Sequence, residues 1–303
     1  MAEKIICVVG PTACGKTKLG VLLAKRYDGE VVSADSMQIY KGMTIGTAAP
    51  TAEEMEGVPH HMIAVADPAE QWSAARYARA AVPIVDDILR RGKRPILVGG
   101  TGLWLDAVVQ GRTFAGGHAG GAVRRELQAQ LAREGIGPLL EELRQVDPEA
   151  AERLHPADEK RILRALEVYR ETGKTISAHN AETRDLPPRY DAVWIGLQFE
   201  ERAEMKALID RRVDAMVEEG LLGEVMGLLK SGLSRDATAL QAIGYKEFLG
   251  VAEVKLRSRQ YAKRQLTWLR RNPEIHWIWW GKERDFARAL HISTEILSDA
   301  GVS

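Results

Sequence analysis

Residues 10–17 of the chain, GPTACGKT, constrain its fold more than any other segment. They have the spacing of a phosphate-binding P-loop, in which a glycine-rich turn points backbone N–H groups at an anion. A short apolar run rich in β-branched residues, KIICVVG, precedes the loop, and a helical pattern, KTKLGVLLAKRY, follows it. This order of strand, loop and helix predicts an α/β core that holds a di- or triphosphate.

The loop residues are the expected binding site for a diphosphate or nucleotide: Gly10, Pro11, Thr12, Ala13, Cys14, Gly15, Lys16 and Thr17. Lys16 supplies positive charge, and the hydroxyl of Thr17 is the expected protein ligand of Mg²⁺. Cys14 fits either a reactive thiolate among the loop amides or a plain small residue. Because hydrolases, kinases and other group transferases share this loop, it does not by itself name a reaction.

Two further segments, GEVVSADSM and RPILVGGTG, have the pattern of strands with polar residues at their carboxyl ends. Between them a helical pattern starts at Ser73 as N-cap and stops at Gly92, with Pro83 as a possible kink or break. Alternating strands and helices predict a P-loop NTPase-like parallel sheet flanked by helices, with ligands at the carboxyl ends of the strands. We expect the strand that leads to Asp35 to lie beside the P-loop strand.

The pattern changes at a glycine-rich segment, residues 114–122, after which residues 123–183 are almost entirely helical in pattern. A proline pair and the strand-like AVWIGLQF then mark a return to the sheet. We therefore expect a P-loop core in two parts, residues 1–115 and 188–303, separated by a helical insertion domain at residues 116–187. The second part of the core carries a basic C-terminal helix.

The formal net charge of the 303 residues is zero, so nucleic-acid binding would have to come from a local basic patch. Cys7 and Cys14 have no metal-ligand spacing with each other or with His60 and His61, which favours a reduced interior. The N-terminus has no leader pattern, and no apolar run reaches the roughly 20 residues that span a bilayer. We expect a cytoplasmic protein without membrane contact, and a monomer.

Asp35 and Thr101 are the candidate catalytic residues, because each follows a predicted strand at the edge where the P-loop lies. A carboxylate there can accept the proton of an acceptor group, although an aspartate that closes a strand is also a common turn or helix-cap residue. Thr101 stands between two glycines that let another molecule approach. Its hydroxyl can hydrogen-bond that molecule or simply belong to a tight structural turn.

Residues 255–271, KLRSRQYAKRQLTWLRR, contain seven basic residues and no acidic one. On a helix, Arg257, Arg264 and Arg271 recur every seven residues along one side, while apolar residues form a stripe on another side of the same helix. Such a surface can bind RNA phosphates or can be an ordinary solvated face, and the lack of acids within the segment favours phosphates.

Seven segments resemble, in order and wording, the bacterial tRNA dimethylallyltransferases, also called tRNA isopentenyltransferases. They are GPTACGKT, SADSMQIYKGMTIGTAAP, GVPHHMI, PILVGGTGLWLDAV, HPADEKRILRALEVYRETGKTIS, QAIGYKEF and RQYAKRQLTWLRR. The resemblance implies transfer of a dimethylallyl group from dimethylallyl diphosphate to N6 of adenosine 37, in the anticodon stem-loop of tRNA. It also implies Mg²⁺ as the cofactor and diphosphate as the second product.

The resemblance further implies roles for particular residues. Asp35 would be the general base toward N6, with Thr101 positioning the amine, and the P-loop would stabilise a leaving diphosphate rather than a transferred phosphoryl group. With the three arginines of the basic segment, the implied tRNA contacts are Asp35, Ser36, Met37, Gln38, Thr101, Arg124, Glu159, Lys160, Arg161, Ile162, Leu163, Gln241 and Lys246. For Arg161 a solvated helix face is the alternative.

Two other functions fit parts of the sequence. A small-molecule kinase that uses ATP would share the P-loop and the strand-end aspartate, but it would leave the basic helix unexplained. A non-catalytic tRNA-binding protein that uses a nucleotide as a switch would retain RNA binding and form no product.

Overall fold

The computed structural model describes residues 4–111, 121–184, 186–247 and 250–302. The chain divides into two compact units. The core unit comprises Met1–Gly111 and Pro188–Ser303, and the insertion unit comprises Arg112–Pro187. The expected boundary between residues 115 and 116, and most of the glycine-rich segment before the insertion, lie outside the described residues.

The core unit is built on one parallel sheet, which has six strands in the described part of the chain and the order β3-β2-β4-β1-β5-β6. The strands are β1 Lys4–Val9, β2 Gly29–Ser33, β3 His60–His61, β4 Arg94–Gly99, β5 Asp191–Phe199 and β6 Ile275–Trp280. Because all of them run in the same direction, the loops that follow them meet at one edge of the sheet. The predicted parallel α/β fold is confirmed.

The neighbour predicted for the P-loop strand is wrong. β2 does not pair with β1, since β4 lies between them, with Ile96 of β4 in register with both Ile6 of β1 and Val31 of β2. A crossover helix can carry the chain past a vacant strand position as easily as to an adjacent one, so the order of elements in the sequence does not fix the neighbour. The strand leading to Thr101, and not the one leading to Asp35, flanks the P-loop strand.

The helices are α1 Lys16–Arg26, α2 Ala52–Met55, α3 Ala74–Arg90, α4 Gly102–Val109, α5 Ala122–Glu134, α6 Ile136–Val146, α7 Pro148–Arg153, α8 Glu159–Thr172, α9 Ile176–Arg184, α10 Arg202–Glu218, α11 Leu221–Lys230, α12 Val251–Leu269 and α13 Phe286–Asp299. Helices α5 to α9 belong to the insertion unit, and the others belong to the core unit. No described helix is long and apolar enough to cross a membrane.

The core of the sheet is continuous and apolar, as is usual for parallel strands that are covered on both faces. In β1 the five residues from Ile5 to Val9 are all 0% exposed. Helix α3 begins as predicted, with Ser73 Oγ accepting a hydrogen bond from Arg76 N at 3.2 Å, and it continues through Pro83. From α3 the buried Tyr77 hydroxyl donates to the carbonyl of Ser33 at 2.8 Å, which fixes the end of β2.

The insertion unit has its own apolar core, in which residues from α5, α6 and α8 meet. Leu127, Leu139, Leu143, Ile162 and Leu166 are all 0% exposed there. Within residues 121–184 and 186–187 the structure contains no strand, which agrees with the helical pattern of that sequence.

Candidate active site

The P-loop lies between β1 and α1 at the carboxyl edge of the sheet. Gly10 opens it with φ 149°, and a Cβ there would lie 2.4 Å from the carbonyl oxygen of Leu197, so only glycine fits. Lys16 begins α1 and its Nζ folds back to donate to the carbonyl of Pro11 at 2.7 Å. Thr17 is in the first turn of α1 and is partly exposed. The loop therefore presents backbone amides, an ammonium group and a hydroxyl at one helix N-terminus.

Cys14 is buried at the base of this loop, with 0% exposure. Burial raises the pKa of its thiol, and this outweighs the opposing effect of Lys16. Its carbonyl accepts a hydrogen bond of 2.8 Å from the indole nitrogen of the buried Trp280. The structure thus favours the interpretation of Cys14 as a small packing residue with a neutral thiol.

Asp35 lies two residues beyond the end of β2 and is partly exposed. Its Oδ1 accepts hydrogen bonds from the backbone N–H groups of Met37 at 2.9 Å and Gln38 at 3.3 Å. Within the described part of the chain its second oxygen, Oδ2, has no hydrogen-bond partner. Asp35 therefore closes the turn with one oxygen and keeps the other available, so its turn role and a role as a base are compatible.

Thr101 lies at the N-terminus of α4, and its hydroxyl does not cap that helix. Instead, Thr101 Oγ1 accepts a hydrogen bond from the backbone N–H of Ser36 at 3.1 Å. The structure thus brings together Asp35, Ser36 and Thr101, which were predicted from two separate segments of the sequence. Thr101 follows β4, and β4 is the neighbour of β1. The turn at Thr101 therefore lies beside the P-loop, which follows β1.

The side chain of Gln38 is bound to the loop at residues 43–49. Gln38 Nε2 donates to the carbonyls of Thr47 at 3.3 Å and Ala48 at 3.1 Å, and its Oε1 accepts from Ser33 Oγ at 3.1 Å. Both ends of the Gln38 amide therefore bind the protein itself. Ser36 and Met37 remain partly exposed beside it.

Glu224 of α11 holds the same loop and was not identified from the sequence. Its carboxylate accepts hydrogen bonds from the backbone N–H groups of Thr44 at 2.8 Å, Ile45 at 2.9 Å and Gly46 at 3.0 Å. The hydroxyl of Tyr245 also donates to it. A lone glutamate in a helix gives no sequence signal for such a role.

Two arginines near the P-loop were also missed. Arg212 of α10 is partly buried and donates to the carbonyl of Thr47 at 3.4 Å. Burial lowers the pKa of Arg212, while the nearby charge of Asp35 acts in the opposite direction. Arg284 donates to the carbonyl of Ala13 at 3.4 Å. In sequence Arg212 follows another arginine among acidic residues on a helix, a pattern that ordinarily indicates surface ion pairs.

Part of the positive charge of the basic helix, α12, is paired with an acidic side chain, which its sequence did not suggest. Arg257 pairs with Glu253 at 2.6 Å, and that glutamate lies just before the segment considered in the sequence. Arg264 and Arg271 are exposed, and their guanidinium groups lie over the rings of Tyr261 at 5.7 Å and Trp268 at 5.2 Å. Of the three predicted arginines, Arg264 and Arg271 therefore have their charges available, and Arg257 has a carboxylate partner.

Gln241 and Lys246 are exposed in the segment that precedes α12. Gln241 Nε2 donates to the carbonyl of Arg235 at 2.9 Å. The structure thus leaves Lys246 and part of Gln241 open to solvent, without adding an independent reason for an RNA contact.

The remaining predicted RNA contacts lie in the insertion unit. Glu159, Lys160 and Arg161 are exposed at the start of α8, and Arg161 pairs with Asp158 at 3.6 Å. Ile162 and Leu163 are only 0% and 3% exposed because they pack in the core of this unit. This corrects the expectation for that block, since the side chains of Ile162 and Leu163 do not reach the surface.

Arg124, in α5 of the same unit, lies 3.8 Å from the buried carboxylate of Glu167 in α8. Its side chain is 20% exposed. Arg124 therefore joins two helices of the insertion unit and presents only part of its guanidinium group to solvent.

The adjacent histidines form strand β3 and act separately. His61 Nε2 lies 2.8 Å from Glu30 Oε2, and His60 Nδ1 lies 2.8 Å from the carbonyl oxygen of Val58. Burial lowers the pKa of His60. Among the described residues no group of three His, Cys, Asp or Glu side chains could hold a metal ion. These contacts agree with a structural role for both histidines.

Comparison with known proteins gives a consistent result over nearly the whole chain. The family model described as IPP transferase matches residues 38–272. The tRNA dimethylallyltransferase of Caldanaerobacter subterraneus subsp. tengcongensis is 45% identical over 290 residues, which are 92% of each chain. That of Geobacillus thermodenitrificans is 46% identical over 290 residues, covering 92% of this chain and 91% of the relative.

Solved structures of similar proteins share the fold. The full-length tRNA isopentenylpyrophosphate transferase of Bacillus halodurans has a TM-score of 0.72 at 41% identity, and the match covers 98% of this chain and 96% of that one. A eukaryotic dimethylallyltransferase acting on tRNA has a TM-score of 0.82 at 29% identity, with 98% of this chain and 80% of that one covered.

Proposed function

The chain belongs to the IPP transferase family, and from this premise we propose that it transfers a dimethylallyl group from dimethylallyl diphosphate to N6 of adenosine 37 in the anticodon stem-loop of tRNA. One observation carries the proposal. The P-loop follows β1, Thr101 follows the neighbouring β4, and Asp35 follows β2 on the far side of β4. A donor site at the P-loop and an acceptor site at Asp35 and Thr101 would thus share one edge of the sheet.

The donor's diphosphate would bind to the P-loop. Breaking the allylic C–O bond places negative charge on the diphosphate and positive charge on the five-carbon group. Loop amides and Lys16 would stabilise the departing anion, and so would Arg212, whose charge acts on the loop residue Cys14. In a kinase the same loop would hold a phosphoryl donor, so the loop alone supports either reaction.

Mg²⁺ fits this arrangement. The hydroxyl of Thr17 would hold the ion, and the described residues provide no cluster of three acidic, histidine or cysteine side chains for an all-protein site. Mg²⁺ commonly takes few ligands from the protein and completes its shell with phosphate oxygens and water. When bound, the ion neutralises charge on the diphosphate.

The acceptor would be prepared by Asp35. The N6 amine of adenine is a weak nucleophile, since its lone pair is delocalised into the ring. As N6 forms its bond to the allylic carbon, the free oxygen of Asp35 would take the N6 proton and diphosphate would leave with the electrons of the C–O bond. Thr101, fixed by its bond to Ser36, would orient the amine.

Contacts outside the pocket would hold the RNA. An adenine stacked in an anticodon loop must be turned out of the stack, at a cost of a few kcal/mol, and phosphate contacts elsewhere can offset that cost. Arg264 of α12 and Arg271, two residues beyond its end, would make such contacts, because they are exposed and within the described chain form no ion pair.

One assay tests the proposal against its alternatives. The protein is incubated with Mg²⁺ and unmodified tRNA together with either dimethylallyl diphosphate or ATP, and the digested nucleosides are weighed by mass spectrometry. An adenosine heavier by one C5H8 unit supports the proposal. Phosphate transfer from ATP to a small acceptor would support the kinase, and tRNA binding without any product would support a non-catalytic binding protein.

A further inference from the structure

One face of helix α12 carries three side chains with polar tips. Tyr261, Gln265 and Trp268 are spaced so that they lie on one face of the helix, and we call them the α12 polar row. Gln265 is 5% exposed and Trp268 donates from its indole nitrogen to Asp106 Oδ2 of α4 at 3.2 Å. Gln265 is the buried member of this row, since Tyr261 and Trp268 are partly exposed, and a buried glutamine is uncommon in proteins.

Gln265 connects the two halves of the proposed site. Its Oε1 accepts a hydrogen bond from the backbone N–H of Thr12 in the P-loop at 2.8 Å. Its Nε2 donates to the carbonyl of Gly100, next to Thr101, at 3.2 Å. One planar amide therefore spans from the donor loop to the acceptor turn and fixes the distance between them.

The fit around this amide leaves little room for movement. A Cβ on Gly100 would lie 2.1 Å from Gln265 Nε2, so the turn approaches the amide as closely as a glycine allows. The hydroxyl of Tyr261, in the same row, lies within range of the charge of Asp35. Burial and the charge of Asp35 raise the pKa of Tyr261 to about 12, so this hydroxyl stays neutral.

We propose that Gln265 is a positioning residue, which holds the P-loop and the Thr101 turn at the separation that transfer between a bound diphosphate ester and a bound amine requires. This inference rests on the proposed prenyl transfer. Gln265 acts through the protein rather than as a catalytic residue, since Oε1 binds the backbone of Thr12 and Nε2 binds the backbone of Gly100. Its effect would be on the rate of the bond-forming step rather than on binding of either substrate, because each half-site keeps its own ligands.

Gln265→Leu removes both hydrogen bonds and keeps a similar volume. We expect kcat for tRNA prenylation to fall roughly 10- to 100-fold, with the KM values for dimethylallyl diphosphate and tRNA changed by less than about threefold. Thr267→Ala is the matched control, since Thr267 is exposed on the same helix and its hydroxyl bonds only to the carbonyl of Lys263. That control should keep the wild-type kcat.

Gln265→Glu gives a readout that loss of packing would not produce. The carboxylate can accept from Thr12 but cannot donate to Gly100, whereas the protonated acid can do both. The ratio of variant to wild-type kcat should therefore rise as the pH is lowered. This variant also carries the test if the leucine variant does not fold.

The outcomes separate the two proposals. Absence of product with the wild-type protein would defeat the proposed function itself. With an active wild type, a Gln265→Leu protein of unchanged melting temperature whose kcat stays within twofold of wild type would overturn the positioning role. So would a loss confined to KM, or a Gln265→Glu to wild-type ratio that does not change with pH.

Discussion

The hydroxyl oxygen of Thr101 accepts a hydrogen bond from the backbone N–H of Ser36 at 3.1 Å, and this contact joins the ends of two neighbouring strands. The backbone N–H of Thr101 adds a second link, to the carbonyl of Ala34 at 3.2 Å. The segment that carries Asp35 and the turn that carries Thr101 are thus held as one piece. A hydroxyl in this position affects the site through geometry as well as through any contact with the substrate.

Replacing Thr101 tests whether its hydroxyl is needed. Thr101→Val keeps the shape but removes the acceptor for Ser36, and we expect kcat to fall roughly 10- to 100-fold because the amine is no longer oriented. Thr101→Ser retains the oxygen and should lie within a few-fold of wild type. Steady-state prenylation kinetics with both variants provides the measurement, and equal activity of the valine and serine variants would contradict the role of the hydroxyl.

Asp35 is expected to act as the base. Asp35→Asn still offers an oxygen to the N–H groups of Met37 and Gln38, so the turn should survive, but the side chain no longer accepts a proton at neutral pH. We expect turnover to fall by about two to four powers of ten with tRNA affinity nearly unchanged. Single-turnover rates and RNA binding should be measured on the same preparation.

Asp35→Ala is the comparison for that experiment, since it removes the turn acceptor as well as the base. If the base function dominates, the alanine and asparagine variants should lose similar turnover. Near-normal turnover of the asparagine variant would remove Asp35 from the role of base.

Much of the fold was predictable from the sequence because it depends on local signals. The P-loop, the predicted strands and the N-cap at Ser73 follow from short patterns of apolar, glycine and capping residues. Asp35 and Thr101 were found because they follow strands, and a parallel sheet brings all its strand ends to one edge. The position of β4 between β1 and β2 depends on tertiary packing, and nothing in the spacing encodes it.

The missed residues have a common physical reason. Gln265, Arg212 and Glu224 each act on a segment more than 150 positions away in the chain, through hydrogen bonds that leave no local pattern. Periodicity showed that α12 has an apolar side, but a glutamine within a basic and apolar helix looks like a surface residue. Likewise, the resemblance placed Ile162 and Leu163 in an RNA-contact block, whereas their periodic spacing assigns them to a core.

The exposed arginines of α12 give a salt-dependent prediction. Replacing Arg264 and Arg271 together with Gln should weaken tRNA binding and reduce the slope of log K against log salt by about 1 to 2, since each phosphate contact contributes roughly 0.7 to 0.9. Binding isotherms over a series of salt concentrations provide the measurement. An unchanged slope would exclude this surface from contact with phosphates.

A charge-matched control distinguishes the loss of a local phosphate contact from the effect of a lower net charge. Arg133 and Arg144 are exposed in the insertion unit, and each pairs with a glutamate of its own helix. Their joint replacement by Gln removes the same total charge. It should leave the salt slope closer to wild type than the α12 variant does.

The buried ion pair at Glu30 predicts how stability depends on pH. Glu30 is 4% exposed and accepts hydrogen bonds from Arg91 at 2.5 Å and 2.9 Å, with His61 at 2.8 Å. The hydrogen bond from Arg91, opposed by burial and assisted by His61, lowers the pKa of Glu30 to about 2. A carboxyl whose folded-state pKa is depressed stabilises the protein above its unfolded-state pKa and loses that contribution as the pH falls toward the folded value.

Glu30→Gln should therefore lower the free energy of unfolding at pH 7 by up to about 3 kcal/mol, and the gap to wild type should narrow progressively between about pH 5 and pH 2. Urea unfolding of both proteins at pH 7, 5 and 3 measures that gap. Glu141→Gln, which affects only an exposed pair with Arg144, should change the stability by less than about 1 kcal/mol at every pH. A gap for Glu30→Gln as large at pH 3 as at pH 7 would show that its cost comes from packing and not from the carboxylate charge.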